Sequence, residues 1–246
     1  MRIERFVNSK FYRIFEWFYR LVFLNLLVLL ISFSLATIPF LIFLNNEDGL
    51  FVMIGIILFV ILFIPSSITS FVVIKHYMSE QTGNVFVLFL RYFLDTVKRI
   101  YLIEIIFLPI FFLTLYGLYF YWQNLGPDYY QDNVYGLISI IAFVVQFFLM
   151  IGLLFMFINL MFLFAYFRMK TFDYVKLSLR FTFRYMAQSL IAAVFLLIPP
   201  VLLGLLVMRF VPIYLILGIS LPQFIMALIT RNKFSYLARN LDDLNT

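Results

Sequence analysis

Six long runs of mostly apolar residues, each free of Asp, Glu, Lys and Arg, dominate the sequence. The shortest run has 21 residues and the longest has 35, whereas a helix needs about 20 residues to cross the ~30 Å hydrocarbon core of a bilayer. None of the runs alternates polar and apolar residues as the strands of a membrane β-barrel do. They therefore predict membrane-spanning helices. The runs are Leu21–Asn46, Gly49–Ile74, Ile105–Pro127, Asn133–Phe167, Tyr185–Met208 and Phe210–Thr230.

The predicted fold class is all-α, a polytopic membrane protein with six transmembrane helices and amphipathic interfacial helices on its cytoplasmic side. We expect a single membrane domain over residues 1–246, with an amphipathic arm at 1–20 and a tail at 231–246. The spans are predicted at about 21–44, 50–74, 101–122, 136–167, 188–208 and 211–230. Because proline removes a backbone donor, interruptions of spans three, five and six are predicted at Pro109, Pro199, Pro200 and Pro222.

The composition favours a membrane protein and excludes several kinds of chemistry. Hydrophobic residues make up 65% of the chain and charged residues 12%, against about 45–50% and 25% in soluble domains. The chain has no Cys, which excludes disulfides and thiolate sites. The sequence signatures of P-loop, zinc-protease and serine-hydrolase sites are missing as well. We therefore expect no catalytic site, cofactor site or metal site, and no nucleic-acid partner.

The distribution of basic residues predicts the orientation in the membrane. Of the 18 Lys and Arg residues, all except Arg209 lie in the arm, in the tail, or in the connections after spans two and four. Cytoplasmic segments carry such an excess of positive charge. The predicted location is the cell membrane, with both termini in the cytoplasm.

Two cytoplasmic connections carry an amphipathic helical pattern, in Val85–Arg99 and in Phe172–Ala187. Arg13, Glu16 and Arg20 line one face of the arm in the same way. Helices of this kind lie in the membrane interface with their basic stripes towards anionic headgroups. Two interpretations stay open, a docking surface for a cytoplasmic partner or a cap that anchors the bundle to anionic lipid. The candidate surface comprises Arg91, Lys98, Arg99, Lys176, Arg180 and Arg184.

Few polar groups occur inside the predicted spans, and they define a candidate intramembrane polar site. Glu104 is the only charged residue there, and such a residue is a functional-site hypothesis by default. Pairing of Glu104 with a basic residue of a neighbouring helix, and interhelical hydrogen bonds from the amides, are the alternatives to a substrate path. The single histidine, His76, is expected to be an interfacial polar residue. The uncharged members of the candidate site are Asn25, Gln146, Asn159 and Gln223.

Three short segments carry a resemblance to a known family. They are Leu24-Asn25-Leu26-Leu27 in span one, Pro65-Ser66-Ser67-Ile68-Thr69 in span two, and Gly83 before the aromatic helix Phe86–Val97. Their order resembles the YesL-like family of bacterial membrane proteins. The family's first span tends to carry Leu-Pro before a Thr, whereas this chain has Leu35-Ala36-Thr37-Ile38-Pro39. The resemblance implies a bacterial cell membrane and a link to carbohydrate uptake, without an agreed biochemical activity.

Three functions follow as hypotheses. The first is an accessory or transport-associated component whose partner is a sugar-transport system. The second is a stand-alone carrier or channel for small solutes, which requires a continuous polar path that the sparse polar residues disfavour. The third is a membrane scaffold or regulator that binds anionic lipid through its basic stripes.

Overall fold

The computed structural model describes residues 10–46, 49–79, 82–123, 133–195 and 211–230, and all of their regular structure is helical. The all-α prediction is confirmed for these ranges. Predicted features at 1–9, 196–208 and 231–246 lie outside the described residues. The helices are α1 (Lys10–Asn46), α2 (Gly49–Met78), α3 (Val85–Gln123), α4 (Asn133–Tyr166), α5 (Thr171–Arg184), α6 (Met186–Phe195), α7 (Val211–Leu217) and α8 (Ser220–Thr230).

Four of these helices, α1 to α4, are long and apolar enough to cross a membrane. Their most apolar stretches are at most 33% buried, and that of α4 is not buried at all. Large aliphatic and aromatic side chains instead cover the helix surfaces. Water does not tolerate apolar surface on this scale, whereas lipid is as apolar as the side chains themselves. The chain is a membrane protein.

Two of the predicted amphipathic segments continue directly into spans. Residues 10–20 form the first turns of α1, and residues 85–99 form the first part of α3. With 37 and 39 residues, α1 and α3 are about 55 and 58 Å long at 1.5 Å per residue. Both exceed the ~30 Å hydrocarbon core. The arm and the connection at 85–99 were predicted to be separate interfacial helices, and the structure does not show them so. Among the described residues, only α5 is a separate amphipathic helix.

The prolines have different effects on the helices that contain them. Helix α3 continues through Pro109, so the interruption predicted there is wrong. In span six the helix breaks at residues 218–219, between α7 and α8. Pro222 lacks an N–H group and its ring clashes with the carbonyl four residues earlier, which belongs to Gly218. The interruption predicted from Pro222 is therefore confirmed, whereas Pro199 and Pro200 lie outside the described residues.

The packing divides the chain into two compact units. Unit 1 comprises residues 1–99, 164–168 and 194–246, and unit 2 comprises residues 100–163 and 169–193.

In unit 1, α1 packs along α2 and against α7. The rings of Phe33 and Phe59 lie 4.8 Å apart between α1 and α2. Closer to the start of α1, the Trp17 ring lies 4.7 Å from that of Phe224 in α8. Residue Trp17 of the arm thus contacts α8, while the later part of α1 contacts α2.

In unit 2, the second half of α3 packs against α4. The rings of Trp122 and Phe143 lie 5.9 Å apart. A Cβ atom on Gly117 would lie 3.0 Å from the Gln146 side chain, so the glycine permits a close approach of these two helices.

Candidate functional site

Asn25 holds the two halves of the broken sixth segment. Its Nδ2 donates to the carbonyl oxygens of Tyr214 and Leu215, at 3.0 and 2.7 Å. Its Oδ1 accepts from the backbone nitrogens of Ile219 and Ser220, at 2.7 and 3.2 Å. An amide offers two donor hydrogens and two acceptor lone pairs, and Asn25 uses all of them. The side chain is fully buried and replaces backbone bonds that the break removes.

A second polar link joins α8 to α2. Gln223 Nε2 donates to the backbone oxygen and to Oγ of Ser67, at 3.0 and 2.8 Å. The Oγ atoms of Ser32 and Ser66 lie 3.2 Å apart and link α1 to α2. In α2 and α8, the buried side-chain oxygens that lack a hydrogen-bond partner among the described residues are Ser70 Oγ, Ser220 Oγ and Gln223 Oε1.

Asn159 links three helices of unit 2. Its Nδ2 donates to the Phe155 carbonyl within α4 at 2.9 Å. The same nitrogen lies 3.2 Å from Thr182 Oγ1 in α5 and 3.0 Å from Ser189 Oγ in α6. Because Asn159 and both hydroxyl residues are buried, these bonds fix α5 and α6 to α4.

Glu104 and Gln146, the other predicted members of the polar site, also belong to unit 2. Glu104 is buried, and its Oε1 lacks a hydrogen-bond partner in the described part of the chain. Gln146 Oε1 is likewise buried without such a partner there. Glu104 forms no ion pair with any residue that the structure describes. The five predicted polar residues therefore do not share partners in one site.

The separate helix α5 has three distinct faces. Its buried face carries a phenol and two hydroxyls, and its two exposed faces carry cations and large apolar side chains. The buried residues are Tyr174, Ser178 and Thr182. The exposed cations are Lys176, Arg180 and Arg184. The exposed apolar side chains are Phe172, Leu179 and Phe183, with exposed fractions of 74%, 50% and 77%.

The basic residues of α3 separate into two groups. Arg91 and Lys98 are exposed. Arg99 is half-buried, and its Nη2 donates to Asp95 Oδ2 at 2.6 Å. Asp95 forms no ion pair with Arg91 or Lys98, both of which the structure describes. Arg99 is therefore not part of the exposed surface predicted for it.

A cavity of about 290 Å³ lies in unit 1, where the ends of α2 and α4 meet α3. No pattern in the sequence predicted a site here. Its lining residues come from two stretches of the chain, 72–99 and 164–168, so only tertiary packing brings them together. The one local signal was the adjacent pair Lys75 and His76 at a span end. The charged and titratable side chains of the lining are Lys75, His76, Tyr92, Asp95, Arg99, Tyr166 and Arg168.

Compared with models of protein families, with curated proteins and with solved structures, the chain matches none.

Proposed function

We propose that this chain is a six-span membrane protein with both termini in the cytoplasm, and that it acts as an accessory component of a transport system. Helices α1 to α4 supply four spans. Residues 188–208 supply the fifth, and α7 with α8 supplies the sixth. The distribution of Lys and Arg supports this orientation, because only Arg209 lies on the opposite side.

The geometry of α5 is the observation that carries the accessory role. Thr182 Oγ1 in α5 and Ser189 Oγ in α6 both lie within hydrogen-bond distance of Asn159 Nδ2, so contacts within the chain position α5 against α4 and α6. Its exposed phenylalanines and cations form a prearranged surface on the proposed cytoplasmic side. Such a surface suits an acidic partner with an apolar groove, as the coupling helices of transporters do.

The proposed substrate class of the partner transporter is carbohydrate. The resemblance of Leu24–Leu27 and Pro65–Thr69 to the YesL-like family supports a partner in carbohydrate uptake. This support is associational, because a resemblance of folds does not determine a function.

Site-specific photo-crosslinking in intact cells tests the accessory role. A benzoylphenylalanine at Phe183 is expected to form an adduct with a membrane subunit or the ATPase of a sugar transporter. The same probe at Leu113, an exposed apolar residue of α3, is the matched control and should react with lipid only. Lipid adducts alone at both positions would contradict the accessory role.

A lipid-binding scaffold is the second candidate, favoured by the position of Lys176, Arg180 and Arg184 beside exposed aromatic side chains. Replacement of all three cations by Ala should then reduce the phosphatidylglycerol that copurifies with the protein several-fold. Unchanged lipid would remove this candidate. Lys170→Ala, at an exposed cation outside the candidate surface, is the control and should leave the copurified lipid unchanged.

A stand-alone carrier has weaker support. The amides of Asn25 and Asn159 donate to other groups of the protein, so they do not line an open path. Uptake of a labelled sugar into liposomes that contain only this chain would favour the carrier over the accessory role.

A further inference from the structure

The cavity of unit 1 has an excess of positive charge in its walls. Lys75, Arg99 and Arg168 line it together with a single carboxylate, that of Asp95. This carboxylate already accepts from Arg99 Nη2 at 2.6 Å. Neither Lys75 nor Arg168 forms an ion pair with any of the described residues.

Two buried nitrogens in the lining residues lack a hydrogen-bond partner within the part of the chain that the structure describes. They are His76 Nε2 and Arg99 Nη1. Other atoms of both side chains are held in place, because His76 Nδ1 lies 3.0 Å from Tyr92 Oη and Arg99 is bonded to Asp95. When the phenol donates to Nδ1, the neutral imidazole carries its proton on Nε2. His76 Nε2 and Arg99 Nη1 are then donor atoms held in place without an acceptor, a condition that is rare in native proteins.

The Lys75 ammonium is positioned in a similar way. Its Nζ donates to the Ala165 carbonyl at 2.5 Å and lies 4.1 Å from the centroid of the Tyr166 ring. The Arg99 guanidinium lies 5.5 Å from the Phe164 ring centroid. Cation–π contacts of this kind hold a charge in place without neutralising it. An ammonium has three donor hydrogens, of which the bond to Ala165 takes one.

We infer that this cavity binds a phosphate group. Guanidinium, ammonium and imidazole donors from three parts of the chain match the several acceptor oxygens of a phosphate, and charge-assisted bonds of this kind are strong. The volume of about 290 Å³ is close to the lower end of small-ligand pockets, roughly 300–1,000 Å³. It accommodates a phosphate with a small part of the molecule that carries it.

Two sources supply this chemistry. With the proposed orientation, the cavity lies at the cytoplasmic ends of spans two and four, at the level of the phospholipid headgroups. An anionic headgroup and a soluble phosphate both present the same oxygens, and the test separates them. The inference does not depend on the accessory role, because it rests on the residues of unit 1 alone.

The first arm of the test measures thermal unfolding of the detergent-purified full chain against inorganic phosphate at constant ionic strength. Binding to the folded state raises Tm with phosphate concentration. Arg168→Gln removes a cation from an exposed position, and His76→Phe removes the imidazole but keeps a ring. Each should raise the phosphate concentration for half-maximal stabilisation about tenfold, since a lost charge-assisted bond is worth roughly one decade in affinity. Lys170→Gln removes an exposed cation outside both the cavity lining and the candidate basic surface, and it should behave as the unaltered chain.

The second arm follows lipid by native mass spectrometry during delipidation. Phosphatidylglycerol retained by the unaltered chain and by Lys170→Gln, but lost from Arg168→Gln and His76→Phe, identifies a headgroup as the source. A response to inorganic phosphate without retained lipid identifies a soluble phosphate. The inference is overturned if the unaltered chain shows neither effect, or if both cavity variants match it in both arms while circular dichroism shows them folded.

Discussion

The carboxamide of Asn25 takes up backbone groups that the break before Pro222 leaves unpaired. Within a bilayer no water replaces such partners, and a buried group without one costs about 1–3 kcal/mol. The sequence predicts interhelical hydrogen bonding as one of two alternative roles for Asn25. Its partners could not be predicted, because they depend on where the sixth segment breaks and on how that segment packs against α1.

Asn25→Leu tests this role, since leucine has a similar size and no hydrogen-bonding group. Four backbone groups would lose their bond to the carboxamide, and of these the Tyr214 carbonyl would keep the Gly218 N–H as a donor. We expect the free energy of unfolding to fall by at least about 2 kcal/mol, because the buried groups left without a partner each cost about 1–3 kcal/mol. Unfolding in mixed detergent micelles measures it. Leu26→Ala, at the exposed neighbouring position, should change stability by no more than about 0.5 kcal/mol. Equal effects of the two substitutions would contradict the role of Asn25.

Gly218 lies at the break itself, and the Tyr214 side chain occupies the space beside it. A Cβ atom at this position would clash with Tyr214 Cδ2. Gly218→Ala is therefore expected to lower the free energy of unfolding by about 1–3 kcal/mol, the usual cost of overpacking.

A double-mutant cycle identifies the cause of this loss. Tyr214→Ala removes the ring but keeps the carbonyl that Asn25 binds, so it should restore part of the stability of Gly218→Ala. If the effects of the two substitutions were simply additive, the ring would not be the source of the strain.

Helix α5 shows what a helical periodicity predicts and what it leaves open. The spacing of Lys176, Arg180 and Arg184 placed these cations on one stripe, and all three are exposed. Hydropathy alone would bury Phe172 and Phe183, yet the buried face carries Ser178 and Thr182. The reason lies in another helix, because Asn159 in α4 requires hydroxyl partners. The spacing of residues within α5 cannot predict a hydrogen bond to Asn159, because Asn159 lies in another helix.

Asn159→Leu should release α5 from α4. Amide hydrogens of residues 171–184 are expected to exchange at least tenfold faster, because the bonds to Thr182 and Ser189 are lost. Hydrogen–deuterium exchange with mass spectrometry measures this, with peptides of α1 as the internal reference. Phe172→Ala alters an exposed side chain of the same helix and should leave the exchange unchanged. Similar rates in the Asn159 variant and in the unaltered chain would refute the link.

In the described part of the chain, the charge-free runs predicted the helices and a membrane protein correctly, but they did not predict the tertiary contacts. The first four runs correspond to α1 to α4, because length and apolarity suffice to determine a membrane-spanning helix. The same runs did not show that the arm continues into α1 or that 85–99 continues into α3. They also could not show the cavity, since Lys75, Arg99 and Arg168 come from three separate parts of the sequence.

The absence of Cys from the sequence makes the proposed orientation directly testable by single-cysteine labelling. In intact cells, a membrane-impermeant maleimide should label Gln123→Cys at the outer end of α3 and should not label Arg180→Cys in α5. Both positions should react after the membrane is permeabilised. Labelling of Arg180→Cys from outside would reverse the orientation, and equal labelling of both would contradict an odd number of crossings between them.

The Asn25 clamp also has a consequence for synthesis. At about 5–20 residues per second, the ribosome needs roughly 10–40 s to produce the 189 residues that separate Asn25 from Tyr214. Until residues 214–220 have been synthesised, the carboxamide of Asn25 in α1 has none of the four backbone partners that it binds in the folded protein. The packing of α1 against α7 and α8 in unit 1 is thus complete only after residues 214–220 have been synthesised, and a polypeptide truncated before residue 214 leaves the Asn25 carboxamide without these four bonds.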